Sequence, residues 1–153
     1  MTPRLNPHAA APDLLKPMIA LENTLHDSGL DLGLLHLVKI RASQINGCTY
    51  CVHMHTHEAR KHGETEDRMH LLTAWRDSPL YSERERAALG WAEALTRIET
   101  TNAPDDVYAA AEAQFSPRDM VALTLVITTI NAWNRLAIGF RSLHPAEKEA
   151  APA

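Results

Sequence analysis

The sequence predicts an all-α domain of about six to seven helices, and three observations carry that expectation. Apolar residues recur at helical spacing in successive segments. Asp, Ser or Thr stands where those segments begin, and glycine or proline where they end. No segment alternates apolar and polar residues as a half-buried strand would, and there is no glycine-rich phosphate loop or internal repeat.

Taken in order, Leu14, Leu15, Met18, Ile19 and Leu25 follow an Asp13 cap, and the pattern stops at Ser28-Gly29. Asp31 caps a second helix that buries Leu34, Leu35, Leu37, Val38, Ile40 and Ile45 and stops at Asn46-Gly47. A third helix runs from about Cys48 to His62, where Gly63 is a left-handed terminator, and Thr65 caps a short fourth segment through Trp75. Ser82 and Glu85 have the spacing of a capping box, in which each side chain satisfies an orphan backbone donor, so a fifth helix starts there. Asn102 or Ala103 starts an alanine-rich helix near Pro104, and Ser116-Pro117 opens the last long one, which ends around Gly139. Its stretch Met120 to Ile130 is apolar on nearly every side, which predicts a helix buried all round, in the domain centre or partly in a subunit interface. Asn131, Asn134 and Arg135 follow at once and argue against a membrane span.

With 153 residues, 45% of them hydrophobic, the chain suits one compact domain with a core of its own. Residues 13–143 form that domain. Residues 1–12, with three prolines and no periodicity, form a flexible N-terminal arm that can pack on a neighbouring subunit, and residues 144–153 form a disordered tail. A formal net charge of -4 supplies no basic field for nucleic acid or an anionic membrane. Two cysteines three residues apart, with no secretory-type start, point to a reduced working pair in the cytoplasm.

That pair is the chemical centre of the sequence. Residues three and four apart share a helix face, so Cys48, Cys51 and His55 line one edge of the helix that follows Gly47. Alpha carbons three apart on a helix are roughly 5 Å from each other, inside the range of about 4.4 to 6.8 Å that a disulfide spans. The positive end of the helix favours a thiolate by roughly 1 to 2 kcal/mol, enough to bring a thiol from about 8.5 towards 7. His55, one turn beyond Cys51, can take the thiol proton or return one to a leaving atom. The rival reading is a zinc site in which Cys48, Cys51 and His55 are joined by His53, His57 or His62. Against it, structural zinc sites usually draw on two separate segments. His53, His57, His62, His70 and His26 read as surface residues, and Trp75, Trp91 and Trp133 as core.

Three groups of residues carry a resemblance to a family. They are Lys39-Ile40-Arg41-Ala42-Ser43-Gln44-Ile45-Asn46-Gly47-Cys48-Thr49-Tyr50-Cys51 with His55, then Trp75-Arg76 with Glu83 to Leu89, and Ile130-Asn131-Ala132-Trp133-Asn134-Arg135-Leu136. Together they resemble the alkylhydroperoxidase AhpD-like branch of the carboxymuconolactone decarboxylase superfamily, over roughly Leu14 to Arg141. The decarboxylases of that superfamily generally lack the cysteine pair, which disfavours decarboxylation here.

The resemblance implies an AhpD-like helical domain that assembles into homo-oligomers, trimers or hexamers, and a cofactor-free reduction of hydroperoxides. It implies that Cys51 attacks the peroxide, that Cys48 resolves the resulting sulfenic acid as a disulfide, and that His55 belongs to a proton relay. Regeneration then needs an external dithiol, a lipoyl or thioredoxin-like carrier. Two positions depart from the pattern. The family's glutamate twelve residues before the first cysteine is His36 here, and a histidine often found between the cysteines is replaced by Tyr50. His36 is accordingly expected to stand in as a relay base. A redox-sensing or binding protein of the same fold, with a reducible cysteine pair, is the alternative function.

Overall fold

The computed structural model describes residues 2–146. Among the described residues the fold has nine complete α-helices and one 3-10 turn, and no strand: α1 (Pro7–Ala10), α2 (Pro12–His26), α3 (Leu32–Asn46), α4 (Thr49–Lys61), α5 (Glu66–Leu71), α6 (Glu83–Thr96), α7 (Ile98–Thr101), α8 (Asp105–Glu112) and α9 (Pro117–Phe140). The expectation of six to seven helices falls short by α1 and α7. Each is a single turn of four residues, too short to leave a periodic pattern.

The helix ends follow local chemistry. Asp31 accepts the Leu34 amide at the start of α3, Thr65 caps α5, Ser116 caps α9, and Ser82 with Glu85 forms a complete capping box on α6. Gly47 takes the left-handed conformation at φ 71°, which only glycine adopts without strain. That turn lets the Cys48 amide reach back to the Ser43 carbonyl and the Gly47 amide to the Gln44 carbonyl, so α3 closes in a Schellman motif and the chain reverses into α4.

Helix α3 is the centre of the molecule. Every residue from Leu34 to Ser43 is buried, because α4, α6 and α9 pack around it. On one side Leu34, Leu35 and Val38 join α6 and α9 through Trp91, Ala92, Leu123, Val126 and Ile127. On the other, Leu37 and Ile40 pack with Ala59, Met69, Leu72, Trp75 and Leu89. Each such leucine or isoleucine taken from water stabilises the fold by about 1.5 to 3 kcal/mol, so the helix that leads into the cysteine-bearing α4 is anchored on all sides.

Glu93 of α6 accepts from Arg41 Nε and from Trp75 Nε1, at 2.7 and 2.9 Å, and from Arg76 Nη1 at 2.5 Å. Its carboxyl is held below the usual range: burial alone would raise it, and the hydrogen bonds from Trp75, Arg76 and Arg41 overcome that.

Residues 1–12, expected as a loosely ordered arm, reach the end of α9 of the same chain through Arg4. The Arg4 amide donates to the Phe140 carbonyl at 3.0 Å and Arg4 Nη1 to the Gly139 carbonyl at 3.1 Å, which satisfies carbonyls orphaned at the end of α9. Helix α9 was expected to be buried all round. It buries Leu123, Val126, Ile127 and Ile130, whereas Val121 and Leu125 on its other face are exposed. Trp133 was expected in the core, but it is only half-buried and faces a cavity. Of the tail at 144–153, residues 147–153 lie outside the described residues.

Candidate active site

The end of α3 is pinned to α9 by side-chain amides. Asn46 Nδ2 donates to Asn131 Oδ1 at 2.9 Å and to Asn134 Oδ1 at 2.8 Å, and Asn134 Nδ2 donates to Ser43 Oγ at 3.1 Å. Asn131 Nδ2 in turn donates to Thr96 Oγ1 of α6. The asparagines of the segment Ile130 to Leu136 therefore fix the helix terminus from which the cysteines project.

Cys48 caps α4, its Sγ accepting the Cys51 amide at 3.3 Å, so both sulfurs stand in the positive field of the first turn. The two are joined as a disulfide with alpha carbons 5.3 Å apart, and each residue is 2% exposed. They differ in what they face. Cys51 lines a cavity of about 820 Å³ and Cys48 does not. The cavity has an apolar side formed by Leu5, Ile19, Met54, Ile130, Trp133 and Leu136, and a polar side formed by Lys39, His36, His55 and Glu58.

The polar side is a chain of histidines around one carboxylate. His55 Nδ1 is 2.9 Å from Glu58 Oε2. Glu58 is held below its usual pKa, chiefly by this hydrogen bond, with the charges of nearby His55, His36 and Lys39 adding to it against the cost of burial. An ionised carboxylate can only accept, so His55 carries a proton on Nδ1, and in the neutral ring Nε2 is the lone-pair acceptor. That Nε2 is buried with no hydrogen-bond partner.

His36, on α3, places Nε2 3.1 Å from His62 Nδ1, and their ring centroids are 4.9 Å apart. Burial pushes the His36 pKa down to about 4; the nearby Glu58 works against the shift, while His62, Lys39 and His55 add to it. His36 is therefore neutral near pH 7. Its Nδ1 is also buried without a partner. Lys39, one turn along α3, pairs with Glu22 of α2.

The structure brings Cys51, His55 and His36 to one cavity, with Cys48 immediately behind. It adds Glu58 and His62. The spacing of His55 and Glu58, three apart on one helix, was a visible signal. His62, expected at the surface, is indeed exposed but reaches inward to His36. Tyr50 lines the cavity where the resemblance often has a histidine. One atom each from His36, His55 and Glu58 lie within 4.8 Å of one another, a set able to hold a cation, and it is not the Cys48, Cys51 and His55 set of the zinc reading.

An all-helical domain with a cysteine pair at a helix N-terminus and buried histidines beside it defines a class of thiol-bearing AhpD-like folds. The chain belongs to the carboxymuconolactone decarboxylase family, whose model matches residues 12–94. The uncharacterized protein YdfG of Bacillus subtilis (strain 168) is 39% identical over 138 residues, spanning 90% of this chain and 94% of its own length. A solved structure from Agrobacterium tumefaciens, of unknown function and described as a candidate antioxidant defence protein AhpD, is 48% identical with a TM-score of 0.91, covering 94% of this chain and 99% of its own. An uncharacterized peroxidase-related protein from Silicibacter sp. TM1040 is 25% identical with a TM-score of 0.76, covering 87% of this chain and 71% of its own.

Proposed function

We propose that the protein is a thiol-dependent peroxidase that reduces hydroperoxides through a Cys48/Cys51 dithiol and disulfide cycle. The observation that carries this reading is the asymmetry of the pair: Cys51 lines the cavity beside His55, His36 and Glu58, and Cys48 is behind it in the helix cap. The candidate AhpD relative from Agrobacterium tumefaciens supports it.

In the cycle the Cys51 thiol gives its proton to His55 Nε2, and the thiolate attacks the terminal oxygen of the hydroperoxide. The O–O bond breaks, an S–O bond forms, and the alkoxide leaves as an alcohol with the proton that His55 returns. Cys48 then attacks the Cys51 sulfenic acid, forming the S–S bond and releasing water. An external dithiol, lipoyl or thioredoxin-like, exchanges with the disulfide, becomes oxidised and restores both thiols. The net reaction converts a hydroperoxide and a dithiol into an alcohol, water and the carrier disulfide. Glu58 holds the His55 tautomer that this cycle requires, in the role a carboxylate plays behind a catalytic histidine. The protein needs no cofactor in this scheme, acts in the cytoplasm, and assembles as a trimer or hexamer through surfaces such as the exposed apolar face of α9.

The test is turnover of hydrogen peroxide and organic hydroperoxides by the reduced protein with several dithiol donors. Cys51→Ser is expected to abolish turnover and to leave no sulfenic acid on trapping. Cys48→Ser is expected to accumulate a trappable Cys51 sulfenic acid. Sulfenic acid on Cys48, or turnover that persists in Cys51→Ser, overturns the assignment.

A further inference from the structure

Two ring nitrogens of residues that line the cavity, His36 Nδ1 and His55 Nε2, are buried with no partner, and the hydrogen bonds at their far sides decide what each one is. For His55 the far side is the Glu58 carboxylate, so its Nε2 is an acceptor. For His36 the far side is His62 Nδ1, which also lies 2.9 Å from the backbone carbonyl of Glu58. A carbonyl oxygen can only accept, so His62 must carry its proton on Nδ1. That single N–H is shared between the Glu58 carbonyl and His36 Nε2, leaving His36 Nε2 as the acceptor and its proton on Nδ1.

We infer that His62 is a positioning residue that holds His36 in its Nδ1–H tautomer, so that a hydrogen-bond donor on His36 and an acceptor on His55 stand buried in the wall of the cavity that both residues line. This inference rests on the peroxidase reading only for its consequence. A hydroperoxide carries a proton to give and oxygens that can accept, and an acceptor next to a donor matches that pattern. His55 takes and returns the proton of the cycle. His36 remains neutral and donates a hydrogen bond to the departing alkoxide oxygen, where negative charge develops. The replacement at the family's glutamate position is therefore a donor, not the base expected from the sequence. The placement of His62 follows from the helix end: its amide bonds to the Ala59 and Glu58 carbonyls at the close of α4, and Gly63 at φ 88° turns the chain away. The ring is thereby held against α3.

The experiment is nitrogen NMR of the histidine rings of the full-length disulfide form near pH 7, beside steady-state kinetics of the reduced protein. In the wild type His36 is expected to show a protonated Nδ1 and an unprotonated Nε2, and His55 the same pattern. His62→Ala is expected to shift His36 towards the Nε2–H form and to lower kcat by about tenfold with KM changed less than twofold, the size expected for loss of one oriented donor. His62→Gln, whose amide can donate from the same place, is expected to restore both. A wild-type His36 protonated on Nε2 overturns the inference, as does an unchanged His36 tautomer in a folded His62→Ala protein. Absence of peroxide turnover in the wild type leaves the ring spectra intact and counts against the peroxidase reading alone. The wild-type spectrum decides the tautomer even if a variant fails to fold.

Discussion

Asn46 Nδ2 donates to Asn134 Oδ1 at 2.8 Å across the interface of α3 and α9, and Asn134 is fully buried. The bond joins the residue two before Cys48 to the longest helix of the fold, so a motif in the last third of the chain sets the position of the cysteine pair.

Replacing Asn134 by Ala leaves the half-buried Asn46 amide with one partner fewer and the buried Ser43 Oγ without its donor. The expected cost is about 1 to 3 kcal/mol in urea unfolding, as for buried polar groups deprived of partners. The pair is coupled, so Asn46→Ala with Asn134→Ala is expected to cost less than the sum of the two single changes. Strict additivity would show that the bond carries no stability.

The fold was largely legible because its signals are local. The capping box of Ser82 and Glu85, the Asp31 and Ser116 caps and the glycine stops at Gly47 and Gly63 are contained within a few residues each. The site was legible where it is local too, in Cys48, Cys51 and His55. What escaped is the pairing across the α3/α4 hairpin. His36 and His62 are 26 residues apart and meet because Gly47 reverses the chain between them. The exposed stripe of Val121 and Leu125 escaped for the opposite reason: composition reports that a helix is apolar, but only packing reports which face has a neighbour.

His36 supplies a pH dependence of stability. Its folded pKa, about 4, is below the unfolded value of 6.5, so between these the unfolded chain binds the extra proton. The contribution is fully present above about pH 6.5 and is lost as the pH falls towards 4, an effect on the order of 3 kcal/mol. Glu58, His62, Lys39 and His55 surround the ring and act in the same measurement. His36→Phe is expected to flatten the stability profile between pH 6.5 and 4, read by urea unfolding at each pH. An equally steep profile in that variant would refute the assignment.

Glu93 tests how the other side of α3 is held. Its carboxylate is the common acceptor for Arg41, Trp75 and Arg76, and both Arg41 and Glu93 are buried. Removing the charge by Glu93→Gln strands a guanidinium inside the core, and breaking a buried pair in this way costs about 3 to 5 kcal/mol. Arg41→Met together with Glu93→Leu removes both charges and fills similar volume, so it is expected to recover most of that loss, although Trp75 Nε1 is then left without its acceptor. Thermal and urea unfolding of the three proteins separates the two cases. If Glu93→Gln is as stable as the wild type, the carboxylate is not the group that binds α3 to α6 and the Trp75 loop.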